Sequence, residues 1–241
     1  MFGLSISESF IIDMYRVEVS NIGNGIVYRR YKNDAIEKEV FTKNISLKPI
    51  PIYPLFYPRF LTRYILCEFN TPIYIPPMDS INFYMLLPID IAIYGYKDNY
   101  FTVLDIIPIH RLYKYTLYGP PSRYGDVSGI IARYFKVATS LEKPEEPMQG
   151  FCISYIEVRN KLDRFTAISK ILLDSSPLSI FYEAGSWRCC TQHITVTINT
   201  STTAVVEYDR KPIESGFKSI DEPEETKTPI ITFRNDMLWG Y

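Results

Sequence analysis

Apolar residues in this chain come in short runs, and nowhere do they recur at helical spacing for long. Tyr15, Val17 and Val19 alternate with Arg16 and Glu18, a period of two that places apolar groups on one face of a strand. Gly23-Asn24-Gly25 follows with the chemistry of a tight hairpin turn, and Ile26 to Tyr31 reads as the returning strand. Tyr64 to Phe69, Ile73 to Ile75, Ile81 to Leu87, Ile89 to Tyr94 and Tyr100 to Ile109 continue the pattern. Turn-forming stretches separate them, among them Pro76 to Ser80 and Gly95 to Asn99.

The second half is similar. Phe151 to Arg159 reads as a strand with a phase slip near Tyr155-Ile156, the mark of a bulge. Ala167 to Leu173 is another strand. From Thr191 to Asn199, Ile194, Val196 and Ile198 face one way, and His193, Thr195 and Thr197 the other. Ala204 to Tyr208 pairs with that run, and Ile230 to Phe233 is a final strand. Asn33 to Phe41 is the best helical window, yet short enough to be a strand. With no crossover helices, the expected fold is all-β: an antiparallel β-sandwich architecture, built as two sandwich-like modules over residues 1–115 and 116–241. Residues 142–150 and the acidic stretch 214–228 read as surface segments.

Composition narrows the function less than the fold. There are 26 basic and 27 acidic side chains, which give no global attraction to nucleic acid or to anionic membranes. The first fifteen residues, with Glu8 and Asp13, do not resemble a secretory signal. The most apolar stretch, Ile73 to Tyr96, is interrupted by prolines and acids, whereas a spanning helix needs about 20 apolar residues. Cys67, Cys152, Cys189 and Cys190 lack metal-ligand spacing and read as free thiols in a reducing cytoplasm. The sequons at Asn44 and Asn199 are then accidental. No cofactor is expected.

The runs PRFLTRYILCEF (Pro58 to Phe69), IYIPPMDSINFYMLLPIDIAIYG (Ile73 to Gly95), VLDIIPIHRLYKYTLYGPP (Val103 to Pro121) and GIIARYF (Gly129 to Phe135) follow one another in order. Together with Met1-Phe2-Gly3 and the IEVRN run (Ile156 to Asn160), they resemble an uncharacterised, largely archaeal family, catalogued as domain of unknown function four hundred and thirty-two. The resemblance implies an archaeal source and brings no activity. Ser122 to Ser128 make one loop longer than the family's pattern.

The candidate site is the surface around the LYGPP turn. Arg111, Arg123 and Arg133 interleave there with Tyr113, Tyr115, Tyr118, Tyr124 and Tyr134. Cations among aromatic rings can hold an anion, a sugar or a stacked base. Gly119 permits a backbone conformation closed to other residues, while Pro120 and Pro121 remove the amides that a phosphate loop needs. Arg59 and Arg63 share a face and form a small basic patch, unless one of them is buried beside Glu68 or Asp105. The leading expectation is a non-enzymatic binding module for a protein or glycan partner. A carbohydrate-active enzyme would need two facing carboxylates, with Glu68, Asp79, Asp90, Asp105 and Glu157 as candidates. His110 and His193 lack the nucleophile elbow or ligand spacing of a triad or metal site. A peripheral subunit of a membrane assembly is the third reading.

Overall fold

Alternation along the chain becomes four sheets and, among the described residues, no helix. The structure is a computed structural model that describes residues 1–7, 9–97, 100–110, 114–119, 129–145, 149–220 and 236–238. The expected strand at Ile230 to Phe233 and most of the acidic stretch lie outside these residues. With no described helix, none is long and apolar enough to cross a membrane.

The N-terminal meander is β1 (Phe10–Ile12), β2 (Tyr15–Ile22), β3 (Gly25–Lys32) and β4 (Ala35–Lys43), paired antiparallel in that order. Asn33 and Asp34 between β3 and β4 have φ of 48° and 63°, which closes a two-residue hairpin. That turn settles the window at Asn33 to Phe41 as strand. A short sheet follows, in the order β5 (Ser46–Ile52), β8 (Asp90–Lys97) and β9 (Tyr100–Ile107). β5 contains Pro49 and Pro51, and it sits at the sheet's edge, where the missing amides cost no ladder bonds.

The meander is fastened to this sheet by a buried charge cluster. Asp105 Oδ2 accepts from Tyr28 Oη at 2.7 Å and lies 3.2 Å from Arg30 Nε, while Oδ1 accepts from Lys38 Nζ at 2.9 Å. Burial and the neighbouring Asp105 push the Tyr28 phenol well above its ordinary value.

Two larger sheets form the sandwich. The middle sheet runs β10 (Tyr115–Tyr118), β11 (Ile130–Val137), β6 (Tyr64–Ile75) and β14 (Thr166–Asp174). Tyr64 to Phe69 and Ile73 to Ile75 are thus one strand, across which β14 shifts register between Ile168 and Lys170. The large sheet has β7 (Ser80–Pro88), β13 (Phe151–Asn160), β16 (Cys189–Ile198) and β17 (Thr203–Pro212) side by side. β12 (Thr139–Ser140), β15 (Ile180–Tyr182), β18 (Lys218–Ser219) and β19 (Asp236–Leu238) extend its edges. Ile65, Cys67 and Phe69 join Phe83, Met85, Ile156, Val158 and Val196 in one core cluster between the two sheets, with Phe69 edge-on to Phe83 at 5.5 Å.

Pairing is mostly antiparallel, but β6 with β11 and β13 with β16 are parallel. Parallel neighbours require a crossover. Here strands of the facing sheet supply it: β14, in the middle sheet, lies between β13 and β16 in the chain. Strands from both sides of Tyr115 interleave within the middle and large sheets, so backbone hydrogen bonds run across that position.

The phase slip expected in β13 lies on its partner instead. β13 pairs with β7 without a break from Phe151 to Arg159. Between Ile153 and Ile156 of β13, β16 runs from Cys190 to Ile194, one residue more.

Candidate functional site

Of the surface expected around the LYGPP turn, Arg111, Tyr113, Arg123 and Tyr124 lie outside the described residues. The other four do not share one surface. Arg133 is fully buried, and its Nη1 donates to the Tyr57 carbonyl at 3.1 Å and to Tyr115 Oη at 3.0 Å. Tyr118 is buried, which pushes its phenol up to about 12. Tyr134 follows Arg133 on β11 and therefore points to the opposite face, where its hydroxyl bonds Glu68. Gly119 has the positive φ its turn requires, 115°.

The Arg59 and Arg63 pair also separates. Arg63 turns inward to Asp174, with Nη2 3.1 Å from Oδ2, and Arg59 stays exposed.

Each candidate carboxylate has its own partners. Glu68 pairs with Lys170 at 3.6 Å, and Asp79 Oδ1 accepts from the Ser80 amide at 2.8 Å, as a turn residue does. Asp105 belongs to the meander cluster. Asp90 is fully buried at the start of β8, and its Oδ1 accepts from the Ile109 amide at 3.0 Å. Burial pushes its carboxyl up to about 7, against the pull of the Ile109 amide and the Arg133 charge. His110 Nε2 lies 2.7 Å from the Gly150 carbonyl, between the edges of Phe135 and Phe151, and burial pushes its pKa down. Gly150 has φ of 84°, and a Cβ there would lie 2.5 Å from Ile109. Asp90 itself is closed off from solvent, whereas Ile109 and His110 beside it are half-buried.

All four cysteines are free and buried. Burial pushes the Cys67 and Cys190 thiols up to about 12 and raises that of Cys152 as well. Those three are poor nucleophiles as they stand.

The outer face of the large sheet is different. β7, β13 and β16 bring together three rings from distant parts of the chain. Tyr84 and Tyr155 are direct cross-strand partners with ring centroids 4.9 Å apart, and the His193 ring lies 5.1 Å beyond Tyr155. All three are part-exposed. Two polar rows run alongside: Asn82, Glu157, Thr195 and Glu207, then Ser80, Arg159 and Thr197, the second ending at the apolar Val205.

Arg159 Nε and Nη2 donate to the two Glu157 oxygens at 2.7 and 2.8 Å. That bidentate bond, and the charges of Arg159 and His193, hold the Glu157 carboxyl below its ordinary value despite partial burial. Glu157 is therefore an acceptor near neutral pH and a poor general acid. His193 lies between two carboxylates, with Nδ1 3.4 Å from Asp209 Oδ2 and Nε2 3.9 Å from Glu157 Oε2. It stands where β16 breaks register with both neighbours. Bulges of this kind re-aim side chains and recur beside functional sites.

Among the described residues, no group of three or more histidine, cysteine, aspartate or glutamate side chains could hold a metal ion. His193 was visible in the sequence as a polar-face residue and Glu157 as a candidate carboxylate on a strand. The meeting of Tyr84 with Tyr155 was not, because it depends on strand register.

A family model described as "Protein of unknown function (DUF432)" matches residues 1–237. No curated protein and no solved structure matches the chain.

Proposed function

Because the chain belongs to the DUF432 family of proteins of unknown function, we propose its role from its own geometry: it is a non-enzymatic binding module that holds a glycan against the outer face of the large sheet. The observation that carries this reading is the row of Tyr84, Tyr155 and His193 rings beside two polar rows. Aromatic faces are electron-rich and attract the polarised C–H groups of a sugar ring. Hydroxyls at the sugar's rim need acceptors and donors, which Glu157, Arg159 and Asn82 offer. Strand pairing fixes these groups in advance, which reduces the entropy lost on binding. The ionised Glu157 and the inaccessible Asp90 favour binding over hydrolysis. Four buried free thiols support a reducing, cytoplasmic setting.

The test is affinity electrophoresis through gels containing glycogen, amylose, xylan or soluble β-1,4-glucan. At least one polymer retards the wild-type chain, and Tyr155→Ala weakens that retardation about tenfold or more, equivalent to about 1.4 kcal/mol. Free migration in all four polymers, or equal retardation of the variant, overturns the reading.

A further inference from the structure

We infer that the cleft between the N-terminal segment, the meander and the short sheet is a second binding site, for an uncharged polyhydroxylated molecule of mono- to disaccharide size. This inference does not depend on the glycan surface, which lies on other strands. The cleft encloses about 610 Å³ and is open to solvent. Drug- and metabolite-sized ligands occupy pockets of roughly 300–1,000 Å³.

Its walls are fastened. Gly3 and Ile6 donate backbone amides to the Pro49 and Leu47 carbonyls at 3.0 and 2.8 Å, and the hydroxyls of Ser5 and Ser46 bond each other at 2.7 Å. The residues from 3 to 6 are thereby held along β5. The opposite wall comes from β2, β3 and the end of β8.

The lining suits one ligand chemistry. Ser7 adds a third hydroxyl to those of Ser5 and Ser46, and Asn21 and Asn44 add two amides. A carboxamide both donates and accepts, which matches the alternating demands of neighbouring sugar hydroxyls. Apolar side chains, Ile26 and Leu47 among them, give the ligand's C–H groups a dry floor. Tyr96 also borders the cleft, and its ring stacks on Phe101 with centroids 5.5 Å apart on the face of β8 opposite Leu47. Lys97 is the single charged side chain among the described lining residues. One flexible ammonium is too little for a polyanion such as a nucleotide, and without a carboxylate the lining has no hold on a cation.

The experiment is ligand-observed saturation-transfer NMR on the whole chain, with glucose, trehalose and myo-inositol as probes and glucose 6-phosphate as a charged comparison. Saturable transfer to at least one neutral probe is expected, at concentrations on the order of ten millimolar or below. Asn21→Ala combined with Asn44→Ala changes two exposed side chains, so the melting temperature stays near that of the wild type while the dissociation constant rises about tenfold. Tyr155→Ala leaves this binding unchanged, which separates it from the glycan surface. No saturable transfer to any neutral probe, stronger binding of the phosphate, or equal affinity in the double variant overturns the inference.

Discussion

Replacing Arg133 with alanine separates a structural arginine from a ligand-binding one. The side chain is fully buried, and Nη1 makes hydrogen bonds of 3.1 and 3.0 Å to the Tyr57 carbonyl and the Tyr115 hydroxyl. A hydrogen bond from a charged donor contributes about 1.5–3 kcal/mol, so the two together contribute roughly 3–6 kcal/mol. The guanidinium also lies 5.3 and 5.7 Å from the ring centroids of Tyr115 and Phe135, which adds a smaller cation–π attraction. Against these stands the cost of keeping the charge out of water, which the variant no longer bears.

Alanine leaves the carbonyl and hydroxyl without that donor, and it leaves a cavity. The balance is a loss of about 3–5 kcal/mol, the size found when a buried polar network is broken. For a chain of 241 residues each kcal/mol lowers the melting temperature by about 2–4 °C, so the expected fall is roughly 6–20 °C. Differential scanning calorimetry at pH 7 measures it, and polymer retardation below the lowered transition stays that of the wild type. A melting temperature within about 2 °C of wild type, the range of an ordinary surface change, would refute the reasoning and return Arg133 to the candidate ligand surface.

Other consequences are as concrete. The unfolded chain releases the Asp90 proton from about pH 4 upward, whereas burial retains it in the folded chain to about pH 7. The stabilisation due to Asp90 is thus full below about pH 4, declines as pH rises to about 7 and is flat beyond. Asp90→Asn flattens that decline, and parallel slopes of melting temperature against pH in variant and wild type would contradict it. Asp105→Ala removes the buried carboxylate that Tyr28, Arg30 and Lys38 share and leaves Arg30 with Glu37 alone, which should cost about 3–5 kcal/mol in urea titrations; an unchanged midpoint would contradict the account of the meander. The four buried thiols should resist a thiol-specific chromogenic reagent in the folded chain and react together on denaturation. Rapid reaction of any one in native buffer would count against their burial.

The all-β class was legible because alternation with a period of two is a local property. Tyr15 to Val19 and Thr191 to Asn199 both became strands with the expected apolar face inward. β5 was not legible, since Pro49 and Pro51 resemble turn residues until the strand is known to lie at an edge. The parallel pairs were hidden for a related reason: a crossover through a facing sheet leaves no helical signature. The binding surface was half legible. His193 and Glu157 stand out as polar residues on strands, but Tyr84 and Tyr155 are ordinary strand tyrosines until register places them together. Arg133 misled because β11 lies inside the middle sheet and turns that side chain into the core. Several polar residues within the runs that carry the family resemblance are such internal ties. Arg63 holds Asp174, and Asn160 Nδ2 donates to the Pro76 and Arg164 carbonyls at 2.9 and 2.8 Å.

Amide chemical-shift mapping of the labelled chain, titrated with an oligosaccharide of whichever polymer retards it, measures where a glycan rests. The account predicts that perturbations on the large sheet centre on Tyr84, Tyr155 and His193 of β7, β13 and β16. Perturbations centred instead on residues 114–119, or none at saturating oligosaccharide, would contradict it.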